Sequence, residues 1–313
     1  SYAAPAWACT GCYGCRELCD HRNDVTSTLY EARAAWSSHG VVPSAAAQTT
    51  ARFHEHEART REAVAHVARD LGARDGARLG LLVGCTYARK ADRVAREATE
   101  VTQWLAKDDV ALVDGCCGLP LLMAGDRAGF ERAAGAMAER LRRFERVAVV
   151  DPGCAVAFKV HYPKIGVRVG GEVTVLVAWA AEEAARFVTL GSGAGRVRWH
   201  DPCQLGRGLG VYEAPRVVLT RILGEAPDEF DTRRERASCA GGGGLLPVTM
   251  PEQARIIAST RLAEHARNGG GRVVTGCASS LHALRRAGDA EVDDIVTWMA
   301  RSARTARARQ GPA

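Results

Sequence analysis

From Arg78 onward the chain alternates short apolar runs with longer amphipathic stretches. The runs Leu79-Gly80-Leu81-Leu82-Val83, Val110-Ala111-Leu112-Val113, 146–150, Val197-Arg198-Trp199 and 272–275 have strand length and are bounded by turn residues. Between them, Ala91, Val94, Ala95, Ala98, Val101, Trp104 and Leu105 recur at helical spacing and make one apolar face. The segments 130–144, 175–188 and 252–266 repeat that pattern. Strands alternating with amphipathic helices predict an α/β fold whose mostly parallel sheet is covered by helices. Upstream, residues 43–71 are rich in Ala, His, Glu and Arg and read as one helix or a helical pair. Their periodicity is weak, and His54, His56 and His66 read as surface residues rather than ligands.

Composition narrows this picture. A chain of 313 residues exceeds the usual size of one core, so two or three domains are expected. With 47% hydrophobic and 25% charged residues it is an ordinary folding composition, which excludes a disordered chain. No apolar run approaches the roughly 18 residues of a transmembrane helix, and residues 1–7 lack the pattern of a signal peptide. A cytoplasmic location is therefore expected, peripheral on the membrane only through partners. The net charge of +6 rests on arginines interleaved with acids, as on solvated helix faces, and does not imply nucleic-acid binding. The local excess at Arg301, Arg304, Arg307 and Arg309 reads as a frayed, solvated end; contact with an acidic partner or anionic lipid is the alternative.

The eleven cysteines change the picture most. In a reducing compartment, cysteines grouped at short spacings hold metals or do redox chemistry more often than they form disulfides. Nearly every predicted strand stops just before one. Cys85 corresponds to Cys203, Cys117 to Cys239 and Cys154 to Cys277, at offsets of about 120 residues, a domain's length. The chain is thus expected to be a duplicated α/β unit behind a short cysteine-rich head, with boundaries at residues 1–76, 77–190 and 191–313. Ligands of open α/β sheets gather at the carboxyl ends of the strands, where these cysteines fall.

The head carries Cys9-x2-Cys12-x2-Cys15-x3-Cys19. Three thiolates at this spacing in a tight loop can each reach a different iron of a cubane, so [4Fe–4S] binding is expected. Zinc is the alternative, disfavoured because zinc knuckles usually come as two separated pairs. In two-cluster ferredoxins the fourth cysteine of such a run ligates the other cluster, which needs a second run. None occurs in this sequence. Either Cys19 or a distant residue completes one cluster, or an upstream half carrying the partner run is missing.

Further on stand Gly84-Cys85, Gly115-Cys116-Cys117-Gly118 and Asp151-Pro152-Gly153-Cys154, then His200-Asp201-Pro202-Cys203, Ser238-Cys239-Ala240-Gly241-Gly242-Gly243 and Cys277-Ala278-Ser279-Ser280. Cys116 and Cys117 can serve one site only from a turn, which Gly118 makes available. The glycine run lacks dinucleotide or P-loop spacing. Gly241 and Gly242, like Gly118, are read as backbone that approaches cluster sulfur. These segments, over about 78–299, resemble the tandem cysteine-rich "CCG" domains found in the B and D subunits of heterodisulfide reductase and in glycolate and lactate oxidation complexes. The head is similar to that of the D-type reductase subunits and the glycolate-oxidase subunits.

The resemblance implies two duplicated α/β CCG domains behind a small helical ferredoxin-like head. It also implies an iron–sulfur site at Cys85, Cys116, Cys117 and Cys154. A full repeat has five thiolates; Asp151 stands where the fifth belongs and is a candidate ligand or, more ordinarily, a helix cap. The second repeat keeps only Cys203, Cys239 and Cys277, with Ser238 and Ser280 in place of thiols. Its site is therefore an iron–sulfur centre, a zinc site or empty, with His200 a candidate fourth ligand or a shell residue. The function so implied is an electron relay, a [4Fe–4S] head exchanging electrons with a second [4Fe–4S] cluster in the first CCG domain. Its partners would be a flavoprotein dehydrogenase or electron-transfer flavoprotein and a membrane or quinone-reactive subunit. Catalysis on a disulfide or other sulfur substrate is one rival, and a zinc-stabilised assembly module is another.

Overall fold

In a computed structural model, residues 4–72, 76–191 and 195–310 are described. Two four-stranded parallel sheets carry the chain. The first is built from β1 (Leu79–Leu82), β2 (Val110–Leu112), β3 (Arg146–Val149) and β4 (Glu172–Val175) in the order β2-β1-β3-β4. The second, from β5 (Val197–Trp199), β6 (Asp228–Glu229), β7 (Arg272–Thr275) and β8 (Val292–Asp294), runs β6-β5-β7-β8. The same order occurs twice, so the duplication read from the cysteines is a duplication of topology.

The five apolar runs form β1, β2, β3, β5 and β7, buried because helices cover both faces of a parallel sheet. The other three strands escaped the hydrophobic pattern. β6 and β8 read Asp-Glu and Val-Asp-Asp, and β4 merges into the apolar face of the helix Leu176–Glu182. All three are edge strands: β4 and β6 are only partly buried, and β8, though buried, holds carboxyl groups at two of its three positions, so none shows the continuous apolar run of an interior strand. The expected helices are present at Asp92–Ala106, Arg127–Leu141 and Pro251–Arg267, and residues 43–71 form a pair, Ser44–Ala51 and Phe53–Leu71.

The two units meet through polar contacts on the last helix, Ile295–Gln310, and the segment before it. Thr297 donates to buried Glu97 at 2.6 Å, and the Tyr87 hydroxyl donates to Asp294 at 2.5 Å. Arg304 pairs with Glu100 at 2.7 Å. The arginine-rich end is thus docked on the helix Asp92–Ala106 rather than frayed, because its acids come from a part of the chain 200 residues away. No helix among the described residues is long and apolar enough to cross a membrane.

The head, with helices Ala4–Trp7, Gly14–Glu17 and Val25–Ser38, sits against both units. Arg33 fastens it. Fully buried, its guanidinium donates to the carbonyls of Ala6, Met123, Gly244 and Cys9, all at 2.8–2.9 Å. Arg207 of the second unit donates to the Cys12 carbonyl at 2.6 Å. Gln204 donates to that of Gly11 at 2.8 Å.

Candidate metal centres

At the carboxyl edge of the first sheet, the chain leaves β1 through Gly84 and enters the helix Cys85–Lys90. Gly118, with φ 77°, turns the chain left-handed directly after Cys116 and Cys117, which brings both adjacent thiols to one side. Cys116 Sγ lies 3.9 Å from Cys85 Sγ, and the Cys117 thiol interacts with those of both Cys116 and Cys154. Four thiols therefore run in a row: Cys85, Cys116, Cys117, Cys154.

Their acidity alternates along the row. The Cys116 bond, helped by His56, holds Cys85 down to about 5. Interactions with Cys117 and Cys85 push Cys116 well above the ordinary thiol range. Those of Cys116 and Cys154 hold Cys117 well below it, and the interaction with Cys117 pushes Cys154 up. Thiolates thus alternate with the thiols that donate to them. Thiolates are the metal-binding form, and metal binding displaces the remaining protons. The backbone N–H of Leu119 also donates to Cys117.

Asp151 caps the helix Pro152–Val156, its Oδ1 accepting from the Gly153 N–H at 2.8 Å. It also accepts from the backbone of Ala278 in the second unit. Burial, then the Cys85 charge, pushes its carboxyl up to about 7. The carboxylate at the fifth-ligand position is thus engaged in capping and in joining the repeats.

The second repeat is arranged differently. Cys239 accepts the Gly241 N–H at 3.2 Å, and its thiol interacts with those of Cys203 and of Cys12 in the head. The Cys12 interaction lowers Cys239, but the Cys203 interaction and burial outweigh it and leave the thiol at about 11. Cys12 is raised by the same interaction and by burial. The Thr10 hydroxyl bonds both thiols. Cys277 stands at the N-terminal boundary of the helix Ala278–Ala287, near the N–H groups of Ser279 and Ser280 and the charge of Asp151; burial raises it to about 12. His200 is placed away from the thiols. Its Nδ1 accepts from Arg261 Nε at 3.1 Å, its ring meets Phe230 edge-on at 6.1 Å, and burial, then Arg261, lowers it to about 3.

In the head, Cys9 accepts the Gly11 N–H at 3.3 Å, and Cys12 that of Gly14. Cys9 feels the charges of Cys12 and Cys15. Cys19 stands apart. Its thiol is held low by the N–H groups of Asn23 and His21 in its own loop. The glycine run reaches back to the head: a Cβ at Gly244 would collide with the Cys9 carbonyl, and one at Gly242 with that of Ser279. Of the three shell glycines, Gly241 donates to a cysteine sulfur, Gly242 packs between segments and Gly118 makes a turn.

A cavity of about 600 Å³ lies between the units. Cys85, Cys117 and Cys154 line one side, Cys203, Cys239 and Cys277 the other, with Lys90, Arg255 and Arg286 also on its wall. Two contributors escaped the sequence reading. Arg33 has a helical signal, since Thr26, Tyr30 and Arg33 share a buried face. His56 has one too, since it stands four residues before Thr60 on the face that continues through Val64 and Val67. His54 and His66 are exposed as expected; His56 turns inward, and one of its ring nitrogens and the Cys85 and Cys116 sulfurs all lie within 4.8 Å of one another.

The donors fit iron–sulfur clusters, because grouped thiols and backbone N–H donors aimed at sulfur are what such clusters use. Comparison with known proteins agrees. The family model "Cysteine-rich domain" (CCG) matches residues 79–159 and 197–285, more than half of the chain. The B subunit of fumarate reductase (CoM/CoB) from Methanothermobacter marburgensis is 27% identical over 80% of this chain and 51% of its own length. The D subunit of dihydromethanophenazine:CoB--CoM heterodisulfide reductase from Methanosarcina barkeri is 25% identical over 92% of this chain and 74% of that one. An "Hdr-like menaquinol oxidoreductase iron-sulfur subunit" of Archaeoglobus profundus is 39% identical over 18% of this chain and 11% of its own. The chain thus spans about half the length of the first relative and three quarters of the second. Among its relatives are subunits of a fumarate reductase and a heterodisulfide reductase and the iron–sulfur subunit of an Hdr-like menaquinol oxidoreductase, and with its topology and its cysteines both duplicated this chain belongs to the CCG cysteine-rich domain family.

Proposed function

We propose that the chain relays single electrons inside an oxidoreductase complex. The observation that carries this reading is the docking of the head on the second repeat, where Arg207 donates to the Cys12 carbonyl and Gln204 to that of Gly11, which sets the Cys12 thiol beside Cys239. Cys9, Cys12 and Cys15 would hold a [4Fe–4S] cluster completed from the second repeat by Cys239, with Cys203 beside it. Cys19, turned to its own loop, would be free to serve a cluster held elsewhere. Cys85, Cys116, Cys117 and Cys154 would hold the second cluster. When bound, each cluster supplies a one-electron acceptor and donor.

The chain's own residues set the terms of that exchange. Backbone N–H groups of Gly11, Gly14, Gly241 and Leu119 place positive dipoles on the ligand sulfurs, which favours the reduced state. Burial raises the Cys9 thiol, and the Gly11 N–H and the fixed positive charge of Arg33 oppose that rise. The hydride chemistry belongs to a partner, since the sequence has no dinucleotide fingerprint. We assign that partner as a flavoprotein dehydrogenase or electron-transfer flavoprotein, and the acceptor as a quinone or another redox carrier at the cytoplasmic face of the membrane. The menaquinol oxidoreductase name of one relative supports the acceptor.

The cavity favours a second reading, in which a disulfide enters between the repeats and takes two electrons and two protons to become two thiols. Anaerobic purification with iron, zinc and sulfide analysis and redox-titrated EPR tests both. About eight irons with equal sulfide and two signals are expected. Zinc alone contradicts both redox readings, and reoxidation of the signals by an added small disulfide favours the catalytic one.

A further inference from the structure

We propose that His56 is a hydrogen-bond donor to the sulfur of the first centre, through Nε2–H, and sets that centre's reduction potential without ligating iron. The inference rests on the proposal that the Cys85 row holds an iron–sulfur cluster. Three observations carry it.

The first is placement. His56 lies outside both segments matched by the cysteine-rich domain, on the helix Phe53–Leu71, yet packs where the helix Cys85–Lys90 begins. Phe53 stacks on its ring at 5.8 Å and 23°. Among the described residues, His56, Cys85 and Cys116 are the one group of three His, Cys, Asp or Glu side chains whose donor atoms fall within 4.8 Å of one another.

The second is the orphaned nitrogen. His56 Nε2 is buried and meets no nitrogen, oxygen or sulfur partner at hydrogen-bond geometry. A buried ring nitrogen costs free energy unless something accepts or donates there. The ring that carries it comes within 4.8 Å of the Cys85 and Cys116 sulfurs through one of its nitrogens, and cluster sulfides and ligand thiolates are acceptors.

The third decides between ligand and donor. Arg89, one turn along from Cys85, places its guanidinium against His56 Nδ1. Arginine has donors only, so Nδ1 must present its lone pair and the ring proton must sit on Nε2. A histidine that ligates through Nε2 needs the reverse tautomer, with Nδ1–H donating to a carbonyl or carboxylate. Arg89 thus fixes the tautomer that donates. Reduction adds negative charge to the cluster, so a donor on its sulfur stabilises the reduced form and raises the potential.

The experiment is an EPR redox titration of the anaerobically purified full chain, wild type against His56→Ala and His56→Gln, with iron content measured on each. His56→Ala should shift the first centre's equilibrium about tenfold toward the oxidised form, about 59 mV for one electron. The second centre should not move. His56→Gln, whose amide keeps an N–H donor, should restore at least half of the shift. Pulsed EPR of wild type carrying 15N-labelled histidine covers the case in which the alanine variant loses its cluster. A weak nitrogen coupling with an exchangeable proton is expected. A strong coupling of directly bonded nitrogen overturns the donor role, and so does an unchanged potential in His56→Ala. A wild-type protein without iron at this site instead overturns the reading on which the inference rests, so the two failures are distinct.

Discussion

The two repeats share a topology and differ in how they gather thiols. In the first, four cysteines from the ends of three strands meet one another, and the neighbouring helix adds His56. In the second, Ser238 has turned to Thr232 at 2.9 Å, Ser280 bonds Cys277, and Cys203 and Cys239 find their third thiol in the head. A repeat that has lost ligands can still belong to a metal centre when another segment brings one to it. The head can do this because the glycine run lets backbone approach backbone and Arg33 ties the contact with four hydrogen bonds.

The largest effect expected from breaking this contrast is on iron content. Cys117→Ser removes the thiol that bridges Cys116 and Cys154, and should abolish the first centre's EPR signal and about half of the bound iron. Cys277→Ser, which alters a thiol facing Asp151 and its own helix, should leave both signals and the iron content unchanged. Equal losses in the two variants would erase the distinction between a gathered first site and a dispersed second one.

Next in size is the contact that brings the head to the second repeat. Arg33→Ala leaves four carbonyls without their donor in a buried place, and should cost about 3 kcal/mol or more in denaturant unfolding. The head should become the first site of proteolytic cleavage, and the signal from Cys9, Cys12 and Cys15 should broaden while that of the first centre stays. Loss of the first centre's signal instead would place Arg33 in the stability of the whole chain rather than of the junction.

The smallest effect concerns the clasp between the units. Burial pushes Asp294 up to about 7, against the opposing hydrogen bond from Tyr87. Its folded pKa lies above the unfolded value of 3.8, so the neutral carboxyl's contribution is full below that value and is lost as pH rises through about 7. Within this window Asp294 should cost the wild type about 1.4 kcal/mol of stability per pH unit. Asp294→Asn should remove that slope, read as the difference between wild-type and variant urea curves at several pH values. Asp151, pushed the same way, leaves a slope common to both proteins.

How far the sequence could be read follows from what each feature depends on. β1, β3 and β7 are legible because burial on both faces demands continuous apolar residues; β6 is a short, half-buried edge pair, and β8 buries two aspartates whose partners, Tyr87 and Arg272, come from elsewhere in the chain. The Cys85 row is legible because spacing after strands places thiols at one sheet edge. The Cys12 to Cys239 contact depends on how the head docks, and no local pattern encodes docking. His56 lay in between, on a helical face whose other members are Thr60, Val64 and Val67. The polar composition of its neighbours obscured that face. His200, singled out by its place beside Cys203, is bound instead by Arg261 of the helix Pro251–Arg267 and packs against Phe230.

The central claim is that electrons pass through the joined head and second repeat to reach the first centre. Single-turnover reduction by a one-electron flavoprotein donor, followed by rapid-freeze EPR in wild type and Cys12→Ser, tests it most directly. The account predicts that reduction of the first centre slows at least tenfold in Cys12→Ser while its equilibrium potential is unchanged. Reduction of the first centre at the wild-type rate in that variant would contradict it.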